Sequence, residues 1–347
     1  MTQKRSFALA AIIAFIAVTL GGALLLSGRA GDKEAETVFY QPTRYDGPAM
    51  LRLTETLSSD ALSGRAVGTP GNEAARGFLS KRFEALRLRR FGDSYMRPFS
   101  ILPSADVTGA PSQGVNMLGW IAGDTPGEGP AIILTAHHDH IGVIEGEIYN
   151  GADDNASGVA AVIAAAESFT RFPPKHDLII ALLDAEEVGL LGAREFVRNP
   201  PIDASRIALN INLDMVSRSE AGELYVAGTY HTPALTPIIQ RVIATAPATL
   251  LIGHDRPEDG SDDWTLQSDH APFHEAGYPF LYFGVEDHDG YHDPSDDYDA
   301  ITHDFFLRSA DTIIQAVRAV DDGLADIAEL RAQQTSPQII PTETPNE

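Results

Sequence analysis

Histidine and carboxylate residues concentrate in five short segments, most of which directly follow an apolar run. The segments are AHHDH at 136–140, GADDNASG at 151–158, DAEEVG at 184–189, NLDM at 212–215 and GYHDPSDD at 290–297. Imidazole nitrogens and carboxylate oxygens are the protein ligands of hard and borderline divalent cations. Taken together, the segments suit two such ions bridged by a carboxylate, and ions of this kind lower the pKa of bound water.

The histidine-rich segment closes a predicted strand. Side chains of a strand alternate between its two faces, so His137 and Asp139 share one face while His138 and His140 share the other. Asp139 is therefore expected to orient the His137 imidazole. His138 and His140 are not expected to be metal ligands.

Each segment also has a simpler explanation. Asp and Asn residues before a helix, as in GADDNASG, commonly cap that helix. Glu186 and Glu187 fit as solvated charges at a helix start, although adjacent carboxylates at a bend can also diverge. An acid placed like Asp214 is unexpected at the end of a core strand. The combination, rather than any one segment, indicates a metal site.

The elements that position these segments alternate along the chain. Apolar runs predict strands at 115–121, 131–136, 177–183, 207–213 and 279–283, and helical patterns lie at 48–57, 71–88, 155–169, 188–197, 234–246 and 303–320. Such alternation predicts an α/β fold: a mixed, mostly parallel twisted sheet with helices on both faces, in a single domain. Sites in open α/β sheets lie at the carboxyl ends of the strands, where the segments fall.

Composition excludes several function classes. The 347 residues include 25 Lys and Arg against 49 Asp and Glu, for a net charge of −24, which opposes binding to nucleic acid. No cysteine is present, so disulfides, thiolate metal sites and a cysteine nucleophile are excluded.

The amino terminus predicts export. Lys4 and Arg5 precede an uncharged apolar run over 6–28, and acidic residues follow it. The run is long enough for a membrane-spanning helix, and the charges predict that the following chain lies outside the cytoplasm, periplasmic or extracellular. A cleaved signal sequence, which would leave a secreted protein, is the alternative. The predicted organisation is anchor or signal at 1–30, linker at 31–45, a folded domain at 46–330 and disordered tail at 331–347.

The ordered series AHHDH, GADDNASG, DAEEVGLLGA, NLDM and GYHDPSDD resembles the co-catalytic zinc aminopeptidases of clan MH. This group contains aminopeptidase Y, the bacterial leucyl aminopeptidases and, more distantly, glutaminyl cyclases. The resemblance spans about 62–298 and includes Gly64 and Arg65 upstream. A further segment, 268–273, is similar to one near the family's substrate pocket, and no direct role in the site is predicted for it.

The resemblance implies a two-zinc site. It implies His137 and Asp214 on one Zn²⁺ and Glu187 and His292 on the other, with Asp154 bridging the two ions. Glu186 is implied as the general base, Asp139 as the residue that holds His137, and Tyr291 as a hydrogen-bond donor to the oxyanion.

The same resemblance implies the reaction. A hydroxide bridging the two metals attacks the scissile carbonyl of a peptide with a free amino terminus, and Glu186 carries the proton to the leaving amine. In the loop 253–265, Asp262, Asp263 and Trp264 are the candidate substrate-binding residues. Their loop position leaves the side-chain preference open.

Three alternatives remain at the level of sequence. A glutaminyl cyclase shares this fold but uses one zinc, and the presence of both His137 and Asp214 favours two metals. A non-catalytic anchored ectodomain would lack a ligand or Glu186, and neither is missing. A carboxypeptidase or other amide hydrolase commonly carries a lid domain, for which the gaps between these segments leave no room.

Overall fold

A computed structural model describes residues 39–101 and 113–335. The described residues from Tyr40 onward belong to one compact unit. Among the described residues no helix is long and apolar enough to cross a membrane. The predicted anchor at 6–28 lies outside the described residues and stays a prediction.

The described part of this unit contains ten strands and seven α-helices. The strands are β1 Met96–Ser100, β2 Gln113–Ile121, β3 Ala131–His137, β4 Gly142–Ile144, β5 Glu147–Tyr149, β6 Asp177–Leu183, β7 Ile207–Leu213, β8 Glu223–Ala227, β9 Thr249–Ile252 and β10 Phe280–Gly284. The helices are α1 Gly47–Leu57, α2 Pro70–Ala85, α3 Gly158–Arg171, α4 Leu191–Arg198, α5 Thr236–Ile243, α6 Ala271–Glu275 and α7 His303–Thr335.

Eight strands form one mixed sheet in the order β1-β2-β6-β3-β7-β10-β8-β9, and β4 pairs with β5 in a separate hairpin. The four central strands β6, β3, β7 and β10 are mutually parallel, whereas β1, β2 and β8 join the sheet by antiparallel pairs. The register aligns His137 with Leu183 at the carboxyl ends of β3 and β6. The four parallel strands therefore deliver their last residues to one edge of the sheet.

Helices cover both faces of the sheet. Ile132 and Leu134 of β3 pack into a large core with α2, α3 and α7, while the intervening Ile133 packs with Phe196 of α4 and Phe273 of α6. All seven residues of β3 are buried, as expected for a strand between two helical layers. The predicted α/β fold with helices on both faces is confirmed.

Local sequence explains where the first helices begin. The Asp46 carboxylate accepts the Ala49 N–H at 2.9 Å, and the Thr69 hydroxyl accepts the Asn72 N–H at 3.3 Å. Both are helix N-caps, and Pro70 occupies the first turn of α2, where its missing N–H carries no cost.

Several elements differ from the sequence prediction. The edge strands β1 and β9 and the inner strand β8 are only four or five residues long, and β1 contains Pro98, so their patterns are too weak to predict. Helix α7 continues past the predicted end at 320 to Thr335 and so includes the first five residues of the predicted tail. The rest of the predicted tail lies outside the described residues.

The predicted linker at 31–45 is too long at its carboxyl end. Tyr45 is buried and its hydroxyl donates to the Leu307 carbonyl at 2.6 Å, and Arg44 pairs with Asp311 at 2.9 Å. Tyr45 and Arg44 therefore pack against α7, because Leu307 and Asp311 of that helix supply the acceptors for their side chains. The remainder of the predicted linker, 31–38, lies outside the described residues.

Candidate metal centre

The first group of candidate ligands forms at the carboxyl ends of β3 and β7. His137 is the last residue of β3 and Asp214 directly follows β7. The His137 Nε2 atom lies 3.2 Å from Asp214 Oδ1 and 3.3 Å from Asp154 Oδ1. The ligand atoms of these three buried residues lie within 4.8 Å of one another, which is close enough to hold one metal ion.

The second group shares Asp154 with the first. The His292 Nε2 atom lies 3.2 Å from Asp154 Oδ2 and 3.4 Å from Glu187 Oε2. Asp154 therefore directs one oxygen toward His137 and the other toward His292. A carboxylate placed in this way between two donor groups can bridge two cations.

The chemistry of the donor set fits divalent cations. Asp154, Glu187 and Asp214 have nearly buried carboxylates that face one another and the two imidazoles. Without a bound cation, burial and then the neighbouring Asp154 raise the pKa of Glu187 well above its usual value. A cation bound among these carboxylates would offset both the cost of burying their charges and the repulsion between them.

The turn before α3 holds Asp154 in place. The Asp296 carboxylate accepts the N–H groups of Asp153 and Asp154, each at 3.0 Å, and the peptide bond between Asp154 and Asn155 is cis. Asn155 donates to the Leu213 carbonyl at 2.9 Å and so ties the turn to the end of β7. A Cβ atom at Gly158 would lie 2.5 Å from the same carbonyl, so only glycine permits this approach. The segment is thus more than a helix cap.

A chain of hydrogen bonds fixes Asp214 from behind. The Ser268 hydroxyl donates to Asp214 Oδ2 at 2.6 Å and accepts from Asn212 Nδ2 at 2.8 Å. Thr135 donates to Asn212 Oδ1 at 2.7 Å. The sequence predicted no direct role for Ser268. Its position in the segment 268–273, which is similar to one near the family's substrate pocket, is the feature that could have indicated one.

Arg65 lies behind the cluster and joins the loops that carry it. The guanidinium is 1% exposed and donates to the carbonyls of Leu57, His138, Asn150 and Gly151. Burial lowers its pKa to about 10, and the nearby Asp154 carboxylate opposes that shift, so Arg65 stays charged at neutral pH. The Gly64–Arg65 segment of the sequence thus supplies a buried cation that connects residues near His137 to the turn of Asp154.

We expect Arg65→Met to destabilise the fold by about 3–5 kcal/mol, because four buried carbonyls would lose a charged donor. Urea unfolding monitored by circular dichroism measures the change. Arg82, an arginine of α2, gives a matched control in Arg82→Met. A loss under about 1 kcal/mol in Arg65→Met would contradict the structural role.

Asp139 lies beside His137, but its carboxylate is not the nearest acceptor. The His137 Nδ1 atom is 3.2 Å from the backbone oxygen of Asp139 and 3.7 Å from Oδ1. The Asp139 Oδ1 atom instead accepts the Glu186 N–H at 3.2 Å. Asp139 thus orients His137 through its main chain, which leaves His137 Nε2 for the cluster, and its carboxylate fixes the backbone of the proposed base.

The expectation that His140 points away from the cluster is wrong. His140 Nδ1 lies 2.6 Å from Glu187 Oε1 and 3.8 Å from Asp154 Oδ2. Strict alternation fails here because β3 ends at His137, so His140 no longer belongs to the strand. His138 does lie apart, with Nε2 3.1 Å from the Val115 carbonyl oxygen. Burial lowers the pKa of His140 to about 4, so its imidazole is neutral.

Glu186 and Glu187 diverge at the bend after β6, where Ala185 has a φ of +63°. The ligand atoms of Glu186, Glu187 and His137 lie within 4.8 Å of one another, and Glu187 Oε2 also lies 3.4 Å from His292 Nε2. Burial is the largest cause that raises the pKa of Glu186 well above its usual value, and the Asp214 carboxylate adds to it. A raised pKa suits a carboxylate that must take and return a proton near neutral pH.

A cavity of about 290 Å³ opens onto the cluster. Its lining includes Glu186, Tyr291 and Trp264, together with the candidate ligands Asp154, Glu187, Asp214 and His292 and the residues Gly189, Met215, Gln267, Tyr282, Val285 and Asp287. Tyr291 is 41% exposed and stacks on His292, with ring centroids 4.0 Å apart. Tyr291 thus lines the cavity while it is stacked on a candidate ligand.

Of the three predicted substrate-binding residues, the structure brings only Trp264 to this cavity. Asp263 caps a short turn by accepting the Thr265 N–H at 3.0 Å. Asp262 is exposed and presents its backbone oxygen 3.0 Å from His254 Nδ1. Neither aspartate lines the cavity, because the turns of the loop direct both carboxylates elsewhere. Gln267 and Asp287 are the polar residues that sequence reasoning missed.

An α/β sheet whose parallel strands end in clustered His, Asp and Glu side chains beside a cavity has the architecture of a metal-dependent hydrolase. The sequence profile of peptidase family M28 matches residues 116–317, more than half of the chain. The chain therefore belongs to peptidase family M28, and the resemblance found in its sequence is confirmed.

Two curated relatives show the range of sequence similarity. Aminopeptidase YwaD of Bacillus subtilis is 30% identical over 198 residues, covering 54% of this chain and 40% of the relative. Leupeptin-inactivating enzyme 1 of Streptomyces exfoliatus is 27% identical over 297 residues, covering 82% of this chain and 60% of the relative. The matches thus span roughly two fifths to three fifths of these relatives' lengths.

Solved structures share the fold. BSAP, a zinc aminopeptidase from Bacillus subtilis, has a TM-score of 0.65 at 17% identity and matches 80% of this chain and 96% of its own. The glutaminyl cyclase of Porphyromonas gingivalis has a TM-score of 0.63 at 18% identity and matches 79% of this chain and 98% of its own. At these identities the similarity concerns the fold alone.

Proposed function

We propose that this protein is a two-zinc aminopeptidase that removes residues from the free amino terminus of peptides. The observation that carries the proposal is the placement of Asp154, whose two carboxylate oxygens face His137 on one side and His292 on the other. One zinc would be held by His137, Asp154 and Asp214. The other would be held by Asp154, Glu187 and His292.

Bound zinc ions supply Lewis acidity, which lowers the pKa of water and polarises the scissile carbonyl. Glu186 lies in the same cavity, where its carboxylate would accept a proton from the attacking water and deliver it to the leaving amine. Tyr291 is positioned at the rim to donate a hydrogen bond to the oxygen that becomes negative. Asp139 holds the Glu186 backbone in place.

The size of the cavity supports a terminal residue as the substrate group. A volume of about 290 Å³ lies just below the roughly 300–1,000 Å³ typical of ligand pockets, so the cavity suits a small group. Trp264 and Tyr282 give the cavity an aromatic wall, with Val285 and Met215 beside it. The similar proteins YwaD and BSAP are aminopeptidases by name, which supports the same substrate class.

Glutaminyl cyclase activity is the second candidate, favoured by the shared fold. The His137 group weighs against it, because a one-zinc enzyme has no use for a complete second set of donors. The pattern of the amino terminus further leads us to propose that the catalytic domain lies outside the cytoplasm, attached to the membrane by 6–28 or released by cleavage.

The proposal predicts zinc-dependent hydrolysis of aminoacyl-anilides by the purified protein. We expect a chelator to abolish release and added zinc to restore it, because the proposed site holds the only clustered His, Asp and Glu donors among residues 39–101 and 113–335. The measurement is anilide release across a panel of amino-terminal residues, with matched N-acetylated substrates as the control.

N-acetylated substrates should not be cleaved if a free amine is required. Cyclisation of an amino-terminal glutamine without anilide release would support the glutaminyl cyclase alternative. Two bound zinc ions with no turnover of either substrate class would point to another amide substrate.

A further inference from the structure

We propose that His140 is a positioning residue that holds Glu187 in the orientation needed to bind the second metal ion. The inference rests on the proposed two-metal function and adds a residue that the family resemblance does not assign to the site. In this arrangement His140 donates its Nδ1–H to Glu187 Oε1. Glu187 Oε2 then remains for the metal.

The two oxygens of Glu187 have different neighbours. Oε1 lies 2.6 Å from His140 Nδ1, while Oε2 lies 3.4 Å from His292 Nε2. A distance of 2.6 Å is that of a short hydrogen bond to a carboxylate. The carboxylate is thus anchored through one oxygen and presents the other to the side where His292 and Asp154 converge.

The surroundings of the ring select one tautomer. The His140 side chain is fully buried, and its Nε2 atom has no hydrogen-bond partner among the described residues. A proton on Nε2 would be a buried unsatisfied donor, which costs about 1–3 kcal/mol, so the proton belongs on Nδ1. The ring therefore acts as a donor to Glu187 rather than as an acceptor.

The ligand atoms of His140, Asp154 and Glu187 lie within 4.8 Å of one another, so this group too could hold an ion, but the shorter of its two contacts assigns His140 to Glu187 rather than to the metal. The His140 Nδ1 atom faces the cluster but lies 3.8 Å from Asp154 Oδ2, against 2.6 Å from Glu187 Oε1. The nitrogen nearest the cluster is thus engaged by the carboxylate. His292, which reaches both carboxylates from the cavity side, supplies the imidazole for the second ion.

Two kinds of substitution separate the effect of the hydrogen bond that His140 donates from the effect of its side-chain volume. His140→Asn places an amide N–H near the position of Nδ1, whereas His140→Leu fills the space without a donor. His140→Gln places its amide farther along the side chain, so it is a polar variant that also fails to reach Glu187 Oε1. His138→Leu is the matched control, since His138 is an equally buried histidine two residues away that contacts Val115 instead.

The test measures binding of Zn²⁺ and Co²⁺ to the apo full-length protein by chelator competition and elemental analysis, without reference to turnover. We expect His140→Leu and His140→Gln to weaken binding of the second ion about 10–100-fold and to leave the first unchanged. His140→Asn should stay within about threefold of the wild type. His138→Leu should bind both ions as the wild type does.

Three outcomes would overturn the assignment. Wild-type affinity for both ions in His140→Leu and His140→Gln would remove the positioning role. An equal loss in His140→Asn and His140→Leu would make His140 a direct ligand. A wild-type protein that binds only one ion would overturn the two-metal site together with the role of His140. Two bound ions with the expected variant pattern, but no anilide release, would uphold His140 and reject the aminopeptidase.

Discussion

Glu186→Gln is expected to retain both metal ions and to lose about 10²–10⁴-fold in kcat. The glutamine keeps the shape of the side chain and the backbone hydrogen bond to Asp139, but it cannot accept a proton. The three carboxylates of the two donor groups are unchanged by this substitution. Turnover of an aminoacyl-anilide at saturating zinc measures the loss, and elemental analysis measures the metal.

Glu187→Gln provides the sharpest control, because the same change is made one residue farther along the chain. Glu187 contacts His140 and His292, so its substitution should lower the affinity for the second ion. A Glu186 variant that keeps full activity would reject the assignment of the base. A Glu186 variant that loses zinc as Glu187→Gln does would assign Glu186 to the ligands instead.

The central fold and most of the cluster could be predicted because their signals are local. A fully buried strand such as β3 appears as a continuous apolar run, and a polar residue at its end, such as His137, interrupts that run visibly. Asp214 stands out after β7 for the same reason. Parallel strands then bring these ends together without further information.

The supporting residues could not be predicted from local pattern, since their roles come from contacts between distant parts of the chain. Arg65 bonds carbonyls of residues 138, 150 and 151, and Ser268 reaches Asp214. Neither set of contacts produces a periodic pattern in the sequence. His140 shows a different failure: alternation is a property of the strand, and it stops where β3 ends at His137.

The substrate loop shows the same limit. Trp264 reaches the cavity, while Asp262 and Asp263 do not. The loop consists of consecutive short turns, in which side-chain directions follow no regular period as they do in a helix or a strand. Asp263 is instead used within its own turn as the acceptor for Thr265. Loop residues of this kind are fixed by local hydrogen bonds that only the structure reveals.

Asp154→Asn is expected to have the second large effect, a loss of at least about 100-fold in zinc affinity accompanied by loss of activity. Asp154 is the residue shared by both donor groups, with Oδ1 3.3 Å from His137 Nε2 and Oδ2 3.2 Å from His292 Nε2. An amide offers one acceptor oxygen and no negative charge, so one of the two ions must lose its shared ligand.

The same substitution should separate metal binding from folding. In the wild type, zinc at 100 times its Kd should raise the free energy of unfolding by about 2.7 kcal/mol per independent site, since the metal binds the folded chain. In Asp154→Asn that increase should be largely absent, and the zinc-free variant should itself be less stable at neutral pH. Burial raises the pKa of Asp154, but the neighbouring imidazoles of His140, His137 and His292 hold it well below its usual value, so the ionised carboxylate stabilises the folded chain. Thermal unfolding with and without zinc measures both terms, with the exposed Asp293→Asn as the matched control. Unchanged zinc content and an unchanged zinc-dependent rise in Tm would show that Asp154 does not bridge the two zinc ions. The ligands of a two-metal site would then have to be assigned among the remaining carboxylates.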